Sequence, residues 1–274
     1  MDAALLLSRV DELPRLPKAI SELLDAVNDS QATIKGITSK LAQEPIVSAR
    51  VLRMANSAYF GSSREVASLD EAVVRLGMQK LRTLVIASAL VGAVPASKAV
   101  NLGEFWGNTF EVACCCQVVA KSTKSEPDAA FTCAILHNIG ELLIATIMAD
   151  SVHEIEALID AGGEVENSQI AVLGYSAADI GSLLADNWKF PPALVDGIRF
   201  QNHPTKTSPY SELAGLLYFC KQVSHEWDDC EDDERTAWLA GIMVKSGLKV
   251  PMDGLAQRLT AVRGQGYEMG KLLA

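Results

Sequence analysis

Apolar residues in this chain recur at spacings of three and four, the mark of helices with a buried face, and alternation of period two is scarcely seen. In "EPIVSARVLRMANSAYFG" Val47, Val51 and Met54 share one side of a helix, with Pro45 in its first turn and Gly61 near its end. "SLDEAVVRLG" predicts a helix start, with Ser68 as N-cap and Glu71 three residues on to complete a capping box, and Gly77 ends it. "MQKLRTLVIASAL" begins the next helix. In "EFWGNTFEVACCCQVVAKS" the positions Phe105, Thr109, Val112, Cys116 and Val119 form one stripe expected to face a packed partner. "SAADIGSLLADNW" repeats the capping box with Ser176 and Asp179 and turns Ile180, Leu183 and Leu184 inward. Pro191 and Pro192 then restart the chain into "ALVDGIRF". The expected fold class is all-α, with about a dozen helices.

The loop "VPASKAVNLGE" (Val94–Glu104) is the best boundary along the chain. It separates an N-terminal helical bundle, 1–95, from a second helical region, 104–205, followed by a helical C-terminal extension, 206–274. No repeat of solenoid length is evident. Composition supports a folded core: of 274 residues, 49% are hydrophobic and 21% charged. The net charge of −10 argues against nucleic acid and against anionic membrane surfaces, both of which select clustered Lys and Arg.

The N-terminus, "MDAALLLSRVDELPRLP", lacks the pattern of a secretory signal. The apolar run "LVIASALVGAV" (Leu84–Val94), taken as the longest, falls short of the roughly 20 residues that cross a bilayer, and is expected to be a buried helix. The expected location is the cytoplasm. The six cysteines agree, since Cys114, Cys115 and Cys116 are contiguous and no C-x-x-C pair occurs. Successive helical residues point about 100° apart, so the triplet cannot converge on one zinc, and buried reduced thiols are expected.

Two charged groupings stand out. "HEWDDCEDDE" carries seven acids between Glu226 and Glu234; it predicts a solvated loop and helix N-terminus, without the glycine and ligand alternation of a calcium loop. Arg50, Arg53, Arg64, Arg75, Lys80 and Arg82 form a basic set in an acidic protein. They are either a solvated face or a docking surface for an acidic partner.

Several phrases taken together closely resemble HDOD domains, the HD-related output domains of bacterial signalling proteins. They are "LPRLP" at 13–17, "EP" at 44–45, "RVLRMANSAYFG" at 50–61, "SLDEAVVRLG", "FW" at 105–106, "AILHNIGEL", "IGSLLADNW" and "FPPALVDGIRF". The resemblance runs from about residue 10 to 205 and implies a helical bundle followed by a region related to HD-superfamily metal-dependent phosphohydrolases. It also implies a degenerate hydrolase serving as a regulatory or scaffolding module. The implied partners are sensor, kinase or cyclic-di-nucleotide signalling proteins, with no nucleic acid and no membrane.

An HD hydrolase gathers His and Asp side chains from several helices on one or two divalent ions, which activate water and clamp phosphoryl oxygens. The resemblance places these positions at Asn108, at His137 and Asn138, at Ala177 four residues before Gly181, and near Gln201 and Asn202 with His203 one step on. Few imidazoles and no carboxylate remain there, so neither catalytic residues nor a metal or other cofactor are expected. A fallback ligand set is Cys133, His137, Glu141 and His203, because the first three recur at four-residue steps on one helical face. A lone histidine in so apolar a segment is more often a hydrogen-bonded core residue. Glu141 stands where related hydrolases commonly carry Lys. His153 and His225 lie in polar segments and read as surface.

The leading expectation is a non-enzymatic signal-transduction module acting through protein contacts, with a vestigial HD site. Two alternatives accompany it. One is a metal-dependent phosphohydrolase, acting on nucleotides or cyclic di-nucleotides through the fallback ligands. The other is a small-ligand sensor using the remnant pocket at Asn108, His137, Asn138 and Gln201.

Overall fold

The computed structural model of the protein describes residues 31–60, 65–93 and 101–273, with isolated positions between 18 and 29. Gly61, Arg64, the N-terminal stretch with "LPRLP" and most of the Val94–Glu104 loop lie outside the described residues. The fold is all-α, and the described residues contain no strand.

The first four helices described in full are α1 (Ile34–Leu41), α2 (Pro45–Ala55), α3 (Leu69–Leu76) and α4 (Met78–Ala93). Thr33 caps α1 and Ser68 caps α3, each through a side-chain oxygen that accepts one of the backbone N–H groups the first helical turn leaves unpaired. Gly77 ends α3 with φ +75°, a left-handed position that glycine adopts without strain. Val47, Val51 and Met54 are buried, as their spacing predicts, and Leu84 to Ala87 of α4 are wholly enclosed.

Then follow α5 (Leu102–Ala120), α6 (Pro127–Leu136), α7 (Ile139–Ile147), α8 (Ala149–Asp160), α9 (Val165–Leu173), α10 (Ala177–Asn187) and α11 (Pro192–Arg199). Beyond them come α12 (Glu212–Glu226), α13 (Arg235–Ser246), α14 (Leu255–Thr260) and α15 (Gln265–Leu273). The α10 capping box forms in full: Ser176 accepts from the Asp179 N–H, and Asp179 accepts from the Ser176 N–H. Pro192 opens α11 at its first position, where no N–H is needed.

Helix α5 is the axis of the molecule. The single stripe expected of it understates its burial: Trp106, Phe110, Glu111, Ala113, Cys114 and Cys115 are also fully enclosed. The reason is that α6, α12, α14 and α15 pack around it from several sides. The three consecutive cysteines are buried for this reason, and all six cysteines are free thiols, with Cys230 alone half-exposed. The approach of α15 depends on glycine, because a Cβ at Gly266 would stand 2.1 Å from the Glu111 nitrogen and one at Gly270 2.2 Å from the Gly107 nitrogen.

The first four helices join this frame through α4, which packs on α6, and through α2, which packs on α15. Phe131 on α6 stacks on Tyr59 at 6.0 Å and meets Phe110 at 6.3 Å, so aromatic rings bridge the two parts. Thr83 donates to Thr132 at 2.9 Å inside the same contact, and Lys80 pairs with Asp128 at 2.9 Å.

The most apolar long stretch is Pro127–Thr146, which by length and composition could cross a membrane and exceeds the Leu84–Val94 run. It is mostly buried in the core and is broken at 137–138 between α6 and α7.

Candidate functional site

The break between α6 and α7 positions the centre of interest. Every residue from Ala130 to Leu136 is buried, so α6 is enclosed all round and its C-cap, His137, is carried inside at 5% exposure. His137 Nδ1 donates to the Ala134 carbonyl, three residues back, an orphan acceptor of the last helical turn. Burial, with the nearby positive charge of Lys221, lowers its pKa to about 3, so the ring is neutral. Asn138 has φ −101° and ψ 3°, which turns the chain into α7. There α7 closes on α10: a Cβ at Gly140 would fall 1.9 Å from the Ala177 carbonyl oxygen. Ala177 therefore packs by its backbone, and its N–H donates to Gln169 at 2.8 Å.

A connected polar network spreads from this point. Gln201, 4% exposed, donates through Nε2 to the carbonyls of His137 and Ile198, both at 3.0 Å. Its Oε1 accepts from Lys221 Nζ at 3.0 Å. The same ammonium donates to Asn202 Oδ1 at 2.8 Å. Asn202 Nδ2 donates to Glu166 at 3.0 Å, and His203, half-exposed, lies 3.2 Å from the same carboxylate. Glu141 receives both its contacts from Gln169 Nε2, at 2.9 Å each. Burial raises the Glu141 pKa, against the pull of Gln169 and Lys221. Burial brings Lys221 down to about 8, opposed by Glu141 and Glu166.

Of the positions expected to form the HD site, His137, Gln201 and Asn202 are brought together, and His203 joins through Glu166. Asn138 lies at the turn and Ala177 at the α7–α10 contact. No hydrogen bond among the described residues links Asn108, half-buried on α5, to this network. The fallback metal set is not assembled. The turn at 137–138 interrupts the helix that would have aligned Cys133, His137 and Glu141. Cys133 Sγ turns to the Leu194 carbonyl at 3.7 Å, and Glu141 is committed to Gln169. Among the described residues no three His, Cys, Asp or Glu side chains converge to hold a metal. The residues present do not fit a divalent ion, because the oxygens that face inward already hold a lysine ammonium. Lys221, Gln169 and Glu166 were not singled out in the sequence, and no local pattern there marks them.

The basic set is a correction. Arg50 is buried and donates to the Ser88 carbonyl at 2.8 Å, and Arg75 donates to the Ala55 carbonyl at 3.2 Å. Lys80 is paired with Asp128, and Arg82 bonds the carbonyls of Trp188 and Lys189 and lies 3.8 Å from the Phe190 ring centroid. Arg53 is exposed. Arg50, Arg75, Lys80 and Arg82 thus tie segments together, so the set is not one solvated face. His153 and His225 are exposed, as their segments predict. In the acidic segment Trp227 is buried while Asp228 pairs with Arg263 at 2.9 Å.

A cavity of about 650 Å³ opens elsewhere, where α4, α6, α11 and the start of α12 meet. Phe190, Leu194 and Leu213 give it an apolar floor, and Arg82, Tyr210 and Glu212 are among its polar groups.

An all-helical frame with a polar centre at an α6–α7 break defines a protein of the HD-related helical class. The chain belongs to the HDOD domain family, whose sequence profile matches residues 13–204. A crystallised protein from Shewanella amazonensis SB2B, provisionally named a phosphohydrolase, is 55% identical with a TM-score of 0.91, covering 99% of this chain and 98% of its own. An HDOD domain protein of unknown function from Geobacter sulfurreducens shares the fold at 20% identity and TM-score 0.78, over 99% of this chain and 97% of its own. An uncharacterized protein of Treponema pallidum (strain Nichols) is 27% identical over 81% of this chain. That match spans 44% of the Treponema protein, so the chain accounts for under half the length of this curated relative.

Proposed function

We propose that this protein is a non-catalytic regulatory module acting through contacts with other signalling proteins, of the sensor, kinase or cyclic-di-nucleotide kind. The observation that supports it is the chemistry at the centre. Gln201 and Asn202 hold a lysine ammonium, Glu141 is bonded to Gln169, and Ala177 offers no ligand atom. Phosphoester hydrolysis in an HD frame needs a metal-bound water and a clamp on the phosphoryl oxygens, and this centre supplies neither. What remains is a rigid helical body able to present a surface.

The test is a panel of nucleotides, cyclic di-nucleotides and a generic phosphodiester, assayed with Mn²⁺ or Mg²⁺. No turnover is expected. Turnover that disappears in a folded His137→Ala variant would overturn the proposal and favour the hydrolase reading that the name of the Shewanella protein suggests. Crosslinking under native expression should recover specific partner proteins.

A second reading is supported by the 650 Å³ cavity, which has the size and mixed lining of a small-molecule site. On that reading a ligand is sensed at the α4–α6–α11–α12 junction and not at the remnant centre. A compound screen should then raise the melting temperature of the wild type but not of Leu194→Trp, which fills the floor.

A further inference from the structure

Lysine is seldom drawn even partly into the interior unless it is paired, and the helix packing alone gives no reason for the half-buried one at position 221. Its surroundings give one. Nζ bonds Gln201 Oε1 at 3.0 Å and Asn202 Oδ1 at 2.8 Å. Neither amide can turn away, because Gln201 Nε2 is committed to the His137 and Ile198 carbonyls and Asn202 Nδ2 to Glu166. Glu141 and Glu166 both act on the ammonium electrostatically. Two amide oxygens from the segment after α11 thus hold the ammonium directly, while the carboxylates of Glu141 on α7 and Glu166 on α9 act on it at longer range. Such an oxygen-rich set calls for a cation, and the neutral His137 beside it supplies none.

We propose that Lys221 is the resident cation of this centre. Its ammonium supplies, from within the chain, the positive charge that a degenerate HD site would otherwise draw from a divalent metal. A dication entering beside the ammonium meets direct repulsion and finds its oxygen donors occupied. The inference rests on the reading of the centre as non-catalytic, and deepens it by naming what fills the site.

The experiment uses the full chain. Metal content is measured after dialysis against Mn²⁺, and melting temperature is followed with Mn²⁺ or EDTA for the wild type, Lys221→Met and Lys221→Met/Glu166→Gln. The wild type is expected to retain no stoichiometric metal and to melt identically in both additives. Lys221→Met, which strands the acceptors, is expected to melt roughly 6–12 °C lower. Removing a carboxylate charge in the double variant is expected to restore at least half of that loss. A wild type that retains one Mn²⁺ per chain and loses melting temperature in EDTA overturns the proposal, whether or not the variants fold. So does a Lys221→Met protein that melts with the wild type. Neither result touches the regulatory reading, which falls only if the protein turns over a phosphoester.

Discussion

Glu111 on α5 and Lys221 on α12 lie on helices packed against each other, and each brings a charge inside by a different means. Glu111 is fully enclosed and accepts two backbone N–H groups, from Gly264 at 2.8 Å and Gly266 at 3.0 Å. These donors lie at the start of α15 and have no intrahelical acceptor. Lys221 is held by side-chain amides. The first charge is answered by the course of the main chain, so its donors are in place wherever α15 docks there. The second is answered by residue identity, so it can be created or lost by a few substitutions. A charge of the first kind belongs to the architecture, whereas one of the second kind depends on a few side chains.

The sharpest way to break this comparison is to remove the main chain from Glu111. Gly266→Val would force a side chain into the Glu111 backbone 2.1 Å away and undock α15. The expected cost is at least about 3 kcal/mol in urea unfolding. Glu111→Leu keeps the packing but strands the buried Gly266 N–H and frees the exposed Gly264 N–H to water, for about 1–3 kcal/mol. If that variant were neutral, the distinction between the two charges would lose its basis.

The pH response sharpens the other side. The His137 pKa is depressed in the folded state, to about 3 against an ordinary 6.5, so the unfolded chain binds the proton first. Its contribution to stability is complete above pH 6.5 and is lost as pH falls toward 3, by up to roughly 1.4 kcal/mol per pH unit. The carboxyls of enclosed Glu111 and half-buried Glu141, both shifted upward, work in the opposite sense as pH falls. The slope of the wild type minus that of His137→Asn isolates the imidazole, and a zero difference would contradict a neutral buried ring. The smallest effect is expected at the rim, where His203→Ala breaks a half-exposed contact with Glu166 and should change stability by no more than about 1 kcal/mol.

Much of the fold could be read from local signals. Ser68, Ser176 with Asp179, Gly77 and Pro192 act within a turn of the chain, and their caps and breaks form as their chemistry requires. The misreadings came where distant elements decide. Phe105 to Val119 gave one stripe by spacing, yet α5 is covered on several sides by helices from both directions along the chain. The four-residue steps of Cys133, His137 and Glu141 assume a continuous helix that the 137–138 turn breaks. The basic set of the first helices faces inward to carbonyls as much as outward. The remnant centre was legible only in part. His137, Gln201 and Asn202, which the resemblance grouped, lie in one hydrogen-bonded network. Lys221 could not be found, because its partners lie 19 and 20 residues away in sequence and are joined to it only by the path of the chain.

The Glu111 clasp also orders events in time. Its hydrogen bonds span 153 and 155 positions, so the wall that α15 forms over Gly107 and Glu111 is missing until residues 265–273 have been synthesised. During translation α5 waits, partly bare, for a segment made more than 150 positions later. So remote a contact slows folding, and a chain whose α15 has not yet docked exposes apolar surface that favours aggregation.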